Sequence, residues 1–316
     1  MNTPLAFING RFVPFAEATL PLHDAGFVSG ATVVDNARTF RHQLFRWADH
    51  LKRFRRDCDL CFVPLELTHA QLTATALELV SHNAKLLPQG GELQLVTFAT
   101  PGQLGFYLGE TENGPPTLGM VTYPLPFGRY RRFFTEGVTL AVAGVQHSDE
   151  FDLLPPVVKH RSRMHWHIAS HQMKTPGAVP VLLSQRGVGD TSIGAILAVA
   201  GDTVIRPVPG TVQDSISVRV VIELCGQLGL KCAGEPLDLR YFCRPVNSTE
   251  SNTVIPRVSE LLLAGTGFCL AGVRRFACRE RGRDYAWPGQ VLSKLLAAWS
   301  DMVGVDIAGQ FTAILG

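Results

Sequence analysis

FINGRFVPFAEATLPLHDAGFVSGA, residues 7–31, places Asn9-Gly10 between two short apolar alternations. An Asn-Gly pair suits the two left-handed positions of a tight hairpin turn, so the chain is expected to open with an antiparallel β-hairpin. Beyond it, Trp47–Leu60 reads as a long amphipathic helix. Thr68 is the N-cap of a second helix reaching about Leu86, with Leu72, Ala76, Leu79 and Val80 on one face. Strand-like runs follow at Leu93–Ala99 and Leu118–Tyr123. The Pro-, Gly- and Arg-rich stretch PLPFGRYRRFF (124–134) reads as a linker between domains. After it come a strand at Val138–Ala143, a helix at Arg161–Met173 and strands at Val179–Ser184, Ala195–Ala200 and Thr203–Arg206. Helices from Ile216 to Leu228 and around Leu292–Val303 complete the pattern. Hairpins outnumber regular βαβ units. The expectation is a mixed α+β chain with a smaller N-terminal domain (1–123), the linker (124–134) and a larger C-terminal domain (135–316).

A chain of 316 residues is long enough for two cores, and 46% hydrophobic with 18% charged residues suits a packed globular enzyme. A net charge of +2 gives no footprint for nucleic acid. No apolar run approaches the roughly 18 residues of a membrane span, and the first residues carry no secretory pattern. Seven scattered cysteines do not form a disulfide framework, so a cytoplasmic protein with reduced thiols is expected. Cys58 and Cys61 have the spacing of a metal or redox motif. However, Leu51, Phe54, Cys58 and Cys61 step by three and four along one helical stripe, and no second pair completes a zinc set. Core packing is the expected role, and no metal site is expected.

Only six lysines occur: Lys52, Lys85, Lys159, Lys174, Lys231 and Lys294. Five lie among polar neighbours, where lysine is a solvated surface residue. Lys159 ends the apolar run Leu153-Leu154-Pro155-Pro156-Val157-Val158. Partial burial there would lower its pKa and free the amine to attack a carbonyl, although a lysine capping a strand end fits the same context. Gln213-Asp214-Ser215-Ile216-Ser217 opens a helix whose N-terminus suits a phosphate, or is an ordinary N-cap. Asn247–Thr253 is a second hydroxyl-rich loop.

Taken in order, these segments resemble the class IV aminotransferases, the family of branched-chain and D-amino-acid aminotransferases and aminodeoxychorismate lyase. The resemblance is carried by Asn9-Gly10, Asp24, Gly26 and Gly30; by Arg38-Thr39-Phe40 and Phe45; and by His50-Leu51-Lys52-Arg53. It continues through Val158-Lys159-His160-Arg161-Ser162-Arg163, Gly187 to Leu197, Gly210 to Val221 and Ser248 to Val258. It implies the two-domain fold type IV architecture with pyridoxal 5'-phosphate between the domains, and a homodimer acting on amino acids and 2-oxo acids. Lys159 would carry the cofactor as a Schiff base and shuttle the proton of the substrate Cα. Arg53, Ile216, Ser217 and Thr249, with Ser248 as a near alternative, would hold the phosphate. Asp190 would stand beside the pyridine nitrogen and keep it protonated. Val34, Arg38 and Arg129 are candidates for the substrate side.

The departures bear on the reaction. Asp190 shortens the family's glutamate, Ala195 replaces an asparagine, Val34 stands where an aromatic residue is common, and Glu250 puts a negative charge near the phosphate loop. Lys159-His160-Arg161 resembles the lyase branch, while the threonine expected near Asp35 or Asn36 is missing. Transamination is the leading expectation, with a lyase as the alternative and a fold relative without activity as the third reading. Arg53 within Lys52-Arg53-Arg55-Arg56, and the run Arg129, Arg131 and Arg132, also fit solvated helix faces.

Overall fold

A computed structural model describes residues 3–146, 154–183, 187–188, 190–239, 242, 257–278 and 281–313. The chain divides into two compact units, Met1–Leu125 with Val157–Arg163, and Pro126–Pro156 with Met164–Gly316.

In the first unit, strands β1 (Leu5–Ile8), β2 (Arg11–Pro14), β3 (Val33–Phe40), β4 (Gln43–Leu44), β5 (Leu93–Thr100) and β6 (Thr117–Pro124) form an antiparallel sheet in the order β2-β1-β6-β5-β3-β4. The Asn9-Gly10 turn has both residues at positive φ (46° and 85°), with Ile8 paired to Arg11, as the hairpin reading requires. Asp24 caps the short helix α1 (Ala25–Val28) through the Gly26 N–H at 2.7 Å. Its other oxygen accepts hydrogen bonds from the Thr100 and Thr117 hydroxyls at 3.0 and 2.8 Å. A Cβ at Gly26 would collide with Thr100, so the Asp24/Gly26 spacing is a packing requirement of this loop.

Helices α2 (Trp47–Leu60) and α3 (His69–Ala84) cover one face of this sheet. Thr68 and Gln71 form the full capping box at the start of α3. Leu51, Phe54 and Cys58 of α2 pack with Leu72, Ala76, Leu79 and Val80 of α3 against Leu93, Leu95 and Met120 of the sheet. Cys58 is fully buried there, and Cys61 caps the end of α2.

In the second unit, the strands are β7 (Val138–Gln146), β8 (Val179–Leu183), β9 (Ala195–Ala200), β10 (Thr203–Arg206), β11 (Lys231–Gly234), β12 (Glu260–Gly265), β13 (Cys269–Cys278) and β14 (Arg281–Asp284). Among the described residues they form one mixed sheet in the order β11-β10-β9-β12-β13-β7-β8, with β14 on β13. Helices α4 (Phe127–Thr135), α5 (Met164–His171), α6 (Ile216–Gln227), α7 (Gln290–Val303) and α8 (Ile307–Thr312) belong to the same unit. No described helix is long and apolar enough to cross a membrane.

Two segments differ from the sequence reading. Residues 127–134, expected in the linker, lie in helix α4. Pro126 is its N-cap, where a missing N–H costs nothing, and Phe127, Tyr130 and Phe134 recur at helical spacing to pack on Phe268 and Phe311. The helix expected from Arg161 begins instead at Met164. The backbone of residues 159–161 is engaged by β3 and cannot also enter a helical hydrogen-bond ladder.

Candidate active site

Beyond the short β4 contact at Thr39 and Phe40, β3 would present its N-terminal half as an open sheet edge. The segment carrying Lys159 closes it. The Val34 N–H donates to the Lys159 carbonyl at 3.0 Å, the Arg161 N–H donates to the Thr32 carbonyl at 2.9 Å, and Val33 faces His160 in an antiparallel bridge. From the other side, the Lys159 N–H donates to Asp57 Oδ2 at 2.9 Å. Arg56 reaches Oδ1 of the same carboxylate through Nε and Nη2, at 3.0 and 2.6 Å. The lysine is thus held by its main chain from a strand and a helix at once, with its side chain half-buried.

The helix α2 makes this possible by carrying two buried stripes. Leu51, Phe54 and Cys58 enter the core, while His50, Arg53 and Asp57, spaced by three and four, form a polar stripe beside them. Arg53 is therefore no solvated residue of a basic helix face: it is buried, whereas its neighbour Lys52 is exposed. Its Nε and Nη2 donate to Asp35 Oδ2, each at 2.7 Å, and His50 Nδ1 meets Asp35 Oδ1 at 2.7 Å. Asp35 lies in β3, buried on the face that α2 covers.

Burial alone would raise the Asp35 pKa. The cations Arg53 and Lys159 and the His50 hydrogen bond outweigh it and hold the carboxyl below its ordinary range. His50 is pushed below its ordinary value, chiefly by burial, against the pull of Asp35. Asp57 shifts upward because burial outweighs its hydrogen bonds from the Lys159 N–H and Arg56.

The cations Arg53 and Arg56 and the amine of Lys159 thus gather with the carboxylates Asp35 and Asp57 in the first unit. An anionic ligand group beside a primary amine suits that set. Asp35, His50 and Asp57 were not singled out in the sequence for chemistry. The available signal was Asp35 directly after Val33 and Val34 in a strand, ahead of a helix with a histidine and an arginine three residues apart.

The remaining candidates are placed as follows. Val34 and Arg38 lie on the opposite face of β3 from Asp35, both buried. The Arg38 guanidinium lies 4.0 Å from the centre of the Phe40 ring, and its Nε donates to the Thr39 carbonyl. Arg129 belongs to the second unit and is exposed on α4, its guanidinium 5.6 Å from the Tyr130 ring.

Also in the second unit, half-buried Asp190 accepts a hydrogen bond from the Thr191 N–H at 2.9 Å. It stands at the mouth of a turn closed by Thr191 and Gly194 that feeds Ala195 into β9. Ser215 caps α6 through the Val218 N–H, and Ile216 and Ser217 form its buried first turn. Ser248 and Thr249, together with Glu250, lie outside the described residues.

Comparison with known proteins bears on the fold and the family. A Methanocaldococcus jannaschii protein with the provisional name branched-chain-amino-acid aminotransferase is 24% identical over 236 residues, 74% of this chain and 78% of that protein. The branched-chain aminotransferase of the archaeon Thermoproteus uzoniensis, solved with norvaline, superposes with a TM-score of 0.77 at 15% identity, covering 96% of this chain and 95% of that one. The 4-amino-4-deoxychorismate lyase of Pseudomonas aeruginosa superposes at 0.70 and 20% identity, over 94% and 98%. The signature of the family described as Amino-transferase class IV matches residues 32–276. The chain belongs to the class IV aminotransferase family.

Proposed function

We propose that this protein is a pyridoxal 5'-phosphate-dependent transaminase that moves an amino group between an amino acid and a 2-oxo acid, with branched-chain amino acids the first donors to test. The observation that carries the reading is the double anchoring of Lys159 beside the Asp35–His50–Arg53 cluster, in a chain of this family. When bound, the cofactor supplies the electron sink that lets the substrate Cα–H bond break. The Lys159 amine carries it and moves the proton at the substrate Cα. Arg53 and the first turn of α6, Ile216 and Ser217, take the phosphate, joined on sequence grounds by Ser248 or Thr249. Asp190 holds a proton at the ring nitrogen. Val34, Arg38 and Arg129 are the proposed substrate-side residues.

The test is spectroscopic first. The purified protein incubated with pyridoxal phosphate is expected to absorb in the near-visible, and to bleach when an amino donor is added without an acceptor. A 2-oxo acid restores the band and yields the new amino acid. A protein that stays colourless sinks the reading. Pyruvate release from aminodeoxychorismate without amino transfer replaces it with the lyase, which the likeness to the Pseudomonas aeruginosa enzyme keeps as the second reading.

The working unit is proposed to be a homodimer. The Ala25 N–H bonds the Gly102 carbonyl and the Leu104 N–H bonds the His23 carbonyl, which brings α1 beside the turn at Gly105–Leu108. Leu22 (77% exposed), Phe27 (70%) and Phe106 (65%) lie exposed in these neighbouring segments, with Tyr107 and Leu108. An apolar cluster of this kind on a soluble chain is a contact surface, and a second copy is the proposed occupant. The doubly substituted F27D/F106D chain is expected to elute as a monomer by light scattering at micromolar concentration, where the unchanged chain is a dimer. Equal masses for the two would refute the assignment of this surface.

A further inference from the structure

Helix α5 is eight residues long, Met164–His171, and packs by one face on β7 and β8. Trp166 and Ala169, with Met173 just past the helix end, recur by three and four and turn inward against Ala143 and Leu182. The opposite face therefore carries His167 and His171, both exposed. These two histidines stand one turn apart, at i and i+4, and their rings lie with centroids 4.2 Å apart and planes at 45°. The backbone fixes the tautomer of one ring. His171 Nδ1 lies 2.8 Å from the His167 carbonyl, and a carbonyl only accepts, so Nδ1 carries the hydrogen. The neutral His171 ring then has its lone pair on Nε2, the nitrogen farther from the main chain. An imidazole that donates to a carbonyl through one nitrogen and offers the other is prepared as a metal ligand. Among the described residues, no group of three or more histidine, cysteine, aspartate or glutamate side chains is placed to hold a metal ion, so the pair stands as a two-ligand set.

From this geometry we propose that His167 and His171 form a two-nitrogen site for a divalent transition-metal ion on the outer face of α5. Nε2 of His171 and a ring nitrogen of His167 are the protein ligands, and water completes the coordination. Imidazole selects nickel, copper and zinc over magnesium and calcium, whose ligands are oxygens, and copper(II) is held most tightly in that series. With two protein ligands, against four in a structural zinc site, the ion exchanges freely with the medium. The bridge joins successive turns of a helix too short to stand alone in water, so the bound ion stabilises α5.

The test uses the full chain, expressed without a histidine tag and stripped of metal by a chelator, titrated with nickel(II) chloride in a calorimeter slightly above neutral pH. One ion per chain is expected, displaced by imidazole and removed by EDTA. In His167→Ala and in His171→Ala, the affinity is expected to fall by about tenfold or more through loss of one ligand. Both positions are exposed on a helix, where alanine is well tolerated, so the fold is expected to survive either change. His69→Ala, which removes an exposed histidine of α3, is expected to leave the titration unchanged. As a second readout, nickel is expected to raise the melting temperature of the unchanged chain and not that of the doubly substituted H167A/H171A chain. Equal affinity in the unchanged chain and in the two single variants would put the ion on thiols or on other histidines and overturns the proposal. So does the absence of saturable binding up to about 1 mM nickel.

Discussion

Replacing Lys159 with alanine is expected to abolish the near-visible absorbance of the cofactor-treated protein after dialysis, and to lower turnover by about a thousandfold or more, since a single group acts there as both nucleophile and proton carrier. The fold is expected to survive. The contacts that dock the segment are main-chain ones, the Lys159 N–H to Asp57 and the Lys159 carbonyl to Val34, and alanine keeps both. Stability should therefore stay within about 1–2 kcal/mol of the unchanged protein. A Lys159→Ala protein that retains a dialysis-resistant band and measurable amino transfer would refute the assignment of the lysine. A colourless variant with an unchanged melting temperature separates chemistry from structure.

The second large effect is at Asp35. Asp35→Asn leaves the buried Arg53 guanidinium without the carboxylate it pairs with, and His50 without a charged partner. A loss of about 3–5 kcal/mol is expected, the range for breaking one side of a buried pair. The double variant Asp35→Leu/Arg53→Met removes both charges and is expected to recover most of that loss. Its affinity for pyridoxal phosphate should nevertheless stay weak, because the arginine assigned to the phosphate is gone. Recovered stability together with full affinity would show that Arg53 is structural only.

Acid acts on the same cluster. His50 has a lowered pKa in the fold, so its neutral form contributes stability that is present above the unfolded value near 6.5 and is lost as pH falls below it. Asp35, also lowered, contributes stability above about pH 4 that is lost as pH falls through its folded value. Asp57 is raised and works in the opposite sense, its buried charge becoming a cost as pH rises. Melting temperatures measured from pH 8 down to 5 are expected to fall, and His50→Gln is expected to flatten that slope. An unchanged slope in the variant would remove His50 from the account.

What could be read in the sequence was what depends on neighbours in the chain. Asn9-Gly10 dictates its turn by backbone sterics, Thr68 caps the helix it precedes, and the apolar spacing from Leu51 to Cys58 faces a core whatever that core contains. The strands that begin at Leu93, Thr117 and Ala195 follow from equally local alternation and apolar runs. The pairing of Asp35 with His50 and Arg53 depends on which strand the helix covers, and no local pattern states that. Helix α4 was obscured because Pro and Gly punctuate its start, although the aromatic spacing within it is helical. The resemblance to the family singled out Arg53 and Lys159. The reason each is held where it is, an ion pair for one and main-chain anchors for the other, became visible only in three dimensions.

The first unit is also discontinuous along the chain: Val157–Arg163 returns to it after thirty-one residues that belong to the other unit. During synthesis, the edge of β3 therefore stays unsealed until the ribosome has passed residue 163 and those residues have left the exit tunnel. A fragment ending at residue 125 would carry the helices and the buried cluster but keep that edge open to other chains. Completion of this unit therefore waits for the translation of the thirty-one residues of its neighbour that precede Val157.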